Sequence, residues 1–150
     1  MIVPSRYYNE APYETFKAIT YSNAAGLGEE GTPIPIFDVT GGVIVNSLSA
    51  LVTTIVVEEG ATALMSLGVT GQVALFIADT EPEDLDAGEF WQVIGVGAGT
   101  GGDALVAAMK DILVSANIIN TVSNAAVTSG VIAYSAIWTP VTSDGSLVAA

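Results

Sequence analysis

The 150-residue chain sets sixteen carboxylates against three basic residues, Arg6, Lys17 and Lys110, and has no histidine or cysteine, giving a net charge of −13. That inventory removes the usual proton shuttle near neutral pH, the usual zinc ligands, any disulfide, and any cysteine or serine–histidine nucleophile. Three cations are too few to grip a nucleic-acid backbone, and the net charge repels nucleic acid and anionic membranes.

Length makes a single domain the default, and a chain of this size can bury roughly 70% of its extended surface. Half of the residues are apolar, many of them Val and Ile, and threonine is frequent too. Such side chains fit a pleated, half-buried surface, so the class reads as mainly β. Sparse charge beside abundant apolar residues predicts that some apolar surface is buried between subunits.

Residues 1–14 have poor periodicity, two prolines and the tyrosines Tyr7, Tyr8 and Tyr13. They lack the basic and apolar regions of a signal peptide, so secretion by that route is not expected. The segment reads either as a frayed terminus or as an arm that docks on a neighbour, with Arg6, Tyr7, Tyr8, Tyr13 and the nearby Lys17 as its anchors. A single β domain is expected over residues 15–150. Its first strand is Phe16 to Tyr21, followed by a glycine-rich loop from Ala24 to Gly31. Pro33-Ile34-Pro35-Ile36-Phe37 is extended, and its prolines predict an edge strand.

A long β segment follows from Val43 to Val57, with a bend expected near Ser49-Ala50. Turns at Glu58-Glu59-Gly60 and Gly71 then set off strands Ala61 to Val69 and Gln72 to Ala78, a spacing typical of a sandwich or barrel. The uncharged stretches Val39–Val57 and Ile112–Ser143 are long enough to span a membrane. Internal Gly, Asn, Ser and Thr, with no flanking basic residues on the first, make buried strands the better reading of both.

Glu81 to Glu89 concentrates carboxylates around Pro82 and Gly88. It reads as an acidic loop with a helical turn at Pro82–Leu85. Asp84, Asp86 and Glu89 are its candidate calcium ligands, although the spacing misses the EF-hand pattern. Trp91 beside it reads as a buried anchor or an interface residue. A strand is expected over Phe90–Val96, then a short helix over Asp103–Leu113. Strands follow near Val114–Ala116, Ile118–Ser123, Val131–Trp138 and Leu147–Ala149. Tyr134 and Trp138 share one strand face with Ile132 and Ala136, and core packing is their expected use.

One motif has the spelling of chemistry. Residues 97–102 match G-x-G-x-x-G between an expected strand and an expected helix, the context of a dinucleotide-binding loop. The acidic residue required about twenty positions later is missing. Too little chain remains for the rest of that fold, so a plain glycine loop is the better reading. No S-x-x-K occurs, and no constellation supports catalysis. No cofactor is expected.

Two regions carry a resemblance. One is Gly41-Gly42-Val43-Ile44-Val45-Asn46-Ser47-Leu48 with Val52–Val56 and Ala61–Leu67. The other is Thr128–Tyr134 with Trp138-Thr139-Pro140 and Asp144–Ala149. Together, over residues 40–70 and 128–149, they resemble a diffuse group of small β-rich virion structural proteins of tailed bacteriophages. The resemblance implies a capsid decoration (cement) protein, made in the host cytoplasm and bound to the major capsid protein on the outer surface of the virion. It further implies a homo-oligomer, most simply a trimer, with no nucleic-acid or membrane partner. The alternatives are a tail or head–tail component, a carbohydrate- or calcium-binding β module using Trp91, Trp138 and the 81–89 loop, and a small dinucleotide enzyme using residues 97–102. The expected architecture is thus mainly β, an antiparallel β-sandwich or barrel with one short helix (103–113) and an extended N-terminal arm.

Overall fold

The computed structural model of the chain describes residues 12–91 and 111–150. They are mainly β, as the β-branched composition predicts. Nine strands form in chain order: β1 (Tyr13–Thr20), β2 (Ile34–Thr40), β3 (Val43–Glu58), β4 (Leu64–Val69), β5 (Gln72–Thr80), β6 (Ile112–Val114), β7 (Ile118–Ser123), β8 (Val127–Pro140) and β9 (Ser146–Ala149). They build two antiparallel sheets, ordered β1-β8-β3-β6 and β5-β4-β7-β2-β9. Both sheets curl around one core that includes Ile34, Phe37, Val52, Met65, Ile118, Ile132 and Tyr134. The uncharged stretches with the length of a membrane span fall on these strands. Among the described residues no helix is long and apolar enough to cross a membrane.

Period-two alternation places the core residues. Along β8, Ile132, Tyr134, Ala136 and Trp138 point inward, while their neighbours face out. Across the ladder they meet Val52, Ala50 and Leu48 of β3. The two sheets approach along β1 and β9. There Trp138 Nε1 donates to Thr15 Oγ1 at 2.9 Å, and Thr15 Oγ1 donates to the Leu147 carbonyl at 2.9 Å.

Several expectations are corrected. β1 begins at Tyr13 because that residue pairs with Trp138 and stacks on its ring, with centroids 4.8 Å apart. The arm expected over residues 1–14 therefore gives up Tyr13 and Glu14 to the sheet. β2 is an interior strand, not an edge. Its proline half pairs only with β7, where the register shifts between Pro35 and Phe37, and β9 pairs with Phe37–Thr40 alone. Pro35, which has no N–H to donate, sits at that shift and beyond the reach of β9.

β3 runs unbroken through Ser49-Ala50, and its register shifts fall elsewhere, at 45–47 and between Val52 and Glu58. β8 starts before Gly130, not after it. Ile112 and Leu113, the expected end of the helix, lie in β6 and pair with Val45 and Ile44. Residues 103–110 of that helix, the glycine motif at 97–102 and Gln92–Val96 of the expected strand lie outside the described residues.

Candidate functional site

The most organised polar group sits inside. Tyr21 Oη donates to Asn120 Oδ1 at 3.0 Å, and Asn120 Nδ2 donates to the Ser66 carbonyl at 2.8 Å. The Tyr21 and Tyr134 hydroxyls lie 2.6 Å apart. Tyr21 has one proton, already given to Asn120, so Tyr134 is the donor in that contact. The row links β8 of one sheet with β7 and β4 of the other, and Tyr21, Tyr134 and Asn120 are all buried. Burial pushes both phenols far above the ordinary tyrosine value of 10.0; the hydrogen bond from Tyr134 moderates the rise at Tyr21, while coulombic repulsion from Tyr21 adds to it at Tyr134. Kept neutral and fully paired, the row sets how the sheets sit on each other. It offers no group ready to ionise.

The structure separates the residues singled out from sequence. Trp91 is fully buried, and its Nε1 donates to Thr80 Oγ1 at 3.0 Å, so it is an anchor with no side-chain surface to offer a partner. Lys17 points along the sheet junction, where Nζ donates to the carbonyl oxygens of Pro35, at 2.9 Å, and Ala150. Tyr13 lies on Trp138. Arg6, Tyr7 and Tyr8 lie outside the described residues.

Asp84, Asp86 and Glu89 do not converge. Among the described residues no group of three or more carboxylates could hold a metal ion. Glu89 Oε2 instead accepts from the Asp86 N–H at 3.3 Å. The acidic loop does something unforeseen with its backbone. Gly88 N donates to Val52 O at 2.7 Å, Val52 N to Glu89 O at 2.9 Å, and Trp91 N to Ala50 O at 2.8 Å. The segment thereby extends the sheet beside β3 where β6 does not reach, and it carries Trp91 into the core.

Two surface regions remain. The first is the outer face of the four-stranded sheet. Its rows run Glu14–Ile137–Ser47, Phe16–Ser135–Ser49 and Ala18–Ala133–Leu51. Phe16 is 61% exposed, and Leu113, on β6 at the far edge, 63%. Among the described residues its carboxylates are Glu14, opposite Ile137, and Asp111 beside β6. Ser135 Oγ donates to Glu14 at 2.8 Å, and Asn46 Nδ2 donates to Asp111 at 3.1 Å. The face is mixed: serines alternate with small and apolar side chains, and charge is sparse on it.

The second region is the end where the loops after β1, β3, β5 and β7 gather. Glu59 N donates to Ala126 O, Val127 N to Gly28 O, and Gly31 N to Val122 O. Glu29, Glu30, Glu59, Glu83 and Asp84 lie on these loops and the adjoining Pro82–Asp84 turn, which packs on β3, and Glu58 ends β3 itself. Lys17, the one cation among the described residues, is held elsewhere. A cleft of about 320 Å³ opens at this end, lined by Ile55, Val56, Val57, Glu58, Ala61 and Glu83. No family model, curated protein or solved structure matches the chain, so the reading of these surfaces rests on their chemistry.

Proposed function

We propose that the protein is a non-enzymatic structural component of a tailed-phage particle, a capsid decoration (cement) protein that binds the shell as a symmetric oligomer, most simply a trimer. The observation that carries this reading is the sparsely charged outer face of the four-stranded sheet. Among the described residues a chain with sixteen carboxylates places only Glu14 and Asp111 there, among serines and small side chains, and exposes Phe16, Ile137 and Leu113. Exposed apolar side chains gathered on one face mark contact surfaces. The net negative charge favours the outside of a particle over a lumen filled with packaged genome. Many copies on one shell would allow each contact to be weak.

The test is binding to emptied shells of the parent particle, read by co-sedimentation and by the temperature at which the shells rupture. The wild-type protein should bind saturably and raise that temperature. The Phe16→Ser, Ile137→Thr variant, which adds no charge opposite Glu14, should still fold and should lose binding. Monomeric protein with no shell affinity overturns the reading. Immunogold labelling confined to tails would assign the protein to the tail instead.

A further inference from the structure

We infer that the cleft at the acidic end is the receptor for the N-terminal segment of a neighbouring copy, taking Arg6 between its carboxylates and Tyr7 and Tyr8 against its apolar floor. The inference rests on the proposal that the protein works as an oligomer, and it names the contact between subunits.

The cleft is built by a defect in the ladder. Thr54 pairs with Val131 and Val57 with Ser129, so β3 advances three residues where β8 advances two. Gly130 stands at that slip with φ +128, and a Cβ there would lie 2.8 Å from Val56 Cα and 2.9 Å from Ile55 O. Such a bulge bends its strand and re-aims side chains. Here it leaves Ile55 47% and Val57 44% exposed on either side of the buried Val56. Glu58 and Glu83 complete the lining. Glu58 accepts a hydrogen bond from the Ala63 N–H, which fixes it at the rim.

An apolar floor with an acidic rim calls for a cation flanked by apolar or aromatic side chains. Arginine suits it best, because its planar fork can engage carboxylates while the flat group lies on hydrophobic surface. Of the three cations, Lys17 is committed to two carbonyl oxygens. Arg6 is followed directly by Tyr7 and Tyr8 and preceded by Ile2, Val3 and Pro4. That segment has the required composition.

Reach favours a neighbour's segment. Tyr13 is opposite Trp138, whereas Val57 is opposite Ser129, nine residues further back along β8. At about 3.3 Å per residue that stretch of strand is about 30 Å long. Arg6 lies seven residues before Tyr13, so its Cα can be at most about 25 Å from that of Tyr13. A chain's own segment would have to run almost fully extended along the sheet to meet its own cleft, whereas a neighbour's is under no such constraint. The resulting head-to-tail contact closes into a ring when the rotation between copies permits.

The absence of cysteine gives a clean test. A full-length Ser5→Cys variant is mixed with a full-length Ala61→Cys variant, oxidised, and digested to identify linked peptides by mass spectrometry. The expected product is a 5–61 link between chains. It should fall about fivefold or more when Glu83→Arg is added to the Ala61→Cys partner, and return when Arg6→Glu is added to the other. Glu83 is exposed, so the reversal does not disturb the core. A stable oligomer by light scattering with no 5–61 link, or a link indifferent to both charge changes, overturns the receptor assignment and leaves the structural role standing. A Ser5→Cys, Ala61→Cys chain that links only within itself overturns it too. Monomeric wild-type protein at all concentrations overturns the oligomer and the receptor together.

Discussion

The junction between the sheets and the acidic end solve opposite electrostatic problems. At the junction, Tyr134, Tyr21, Asn120 and the Ser66 carbonyl form one line of neutral groups, each with a partner. At the acidic end, five carboxylates lie on loops and turns and a sixth, Glu58, ends β3, with no described cation among them. Unpaired charge is tolerable where water screens it and prohibitive where water is excluded. Among the described residues the exception inside is Thr121 Oγ1, the one buried side-chain polar atom without a partner. The buried interior is therefore held by apolar packing and neutral hydrogen bonds, while the charged groups that form hydrogen bonds, Lys17, Glu14, Glu58 and Asp111 among them, do so nearer the surface.

The largest break in this contrast should come from Trp91. Its ring is fully buried, and it fixes the 88–91 segment against β3. Trp91→Ala should destabilise by about 3–5 kcal/mol in urea unfolding. Trp91→Phe should lose only about 1–2 kcal/mol, since most of the packing stays and the bond to Thr80 goes. Equal losses in the two variants would mean that the hydrogen bond, not the packing, anchors the loop.

Next comes the polar line itself. Asn120→Leu removes the acceptor for Tyr21 and the donor for Ser66 O, and should destabilise by about 2–4 kcal/mol. Tyr134→Phe should cost about 1 kcal/mol, because Tyr21 still donates to Asn120. If the order of the two variants were reversed, the direction of donation along the line would be wrong.

The same line predicts an alkaline limit. Both phenols have folded-state values raised above the 10.0 expected for an exposed tyrosine, mainly by burial. The unfolded chain therefore loses those protons first as pH rises. The stabilisation is fully present below about pH 10 and is lost progressively above it. Melting temperature should fall above that pH in the wild type, and less steeply in a Tyr21→Phe, Tyr134→Phe double variant compared with its own value at pH 8.

How much of this was legible beforehand differs by region. The β class, the inward row Ile132-Tyr134-Ala136-Trp138 and most strands follow from β-branched runs and alternation, which are local signals. The placement of β2 was not legible. Pro35 marks an edge locally, and only the short overlap with β9 lets the strand sit inside a sheet. Trp91 was ambiguous for a similar reason, since its burial depends on the 88–91 backbone pairing with β3, over thirty residues away. The carboxylates of the 81–89 loop were visible, but backbone pairing leaves no compositional trace. The cleft had one faint signal, Gly130 within a β-branched run, which marks a bulge or a close backbone approach. The slip of β3 past β8 that exposes Ile55 and Val57 leaves no local trace, so the cleft itself was not legible.

The smallest effect tests the other side of the contrast. Glu29, Glu30 and Glu59 are exposed, with Glu59 accepting only a 3.4 Å bond from Asn23 and Glu29 one from Thr32. Like charges on neighbouring loops repel weakly through water, so relieving them should help the fold slightly. Glu30→Gln with Glu59→Gln should raise stability by about 0.5 kcal/mol or less at low ionic strength. The gain should disappear by about 0.5 M salt, where screening acts within a few ångströms. The comparison requires both parts of that outcome. A gain that persisted at high salt would place its origin in packing or hydrogen bonding. A loss at low salt would mean that the carboxylates hold the loops together through contacts of their own. Either result would make the acidic end a structural element like the junction, and the division between a neutral, paired interior and a charged, unpaired rim would fail where it is drawn most sharply.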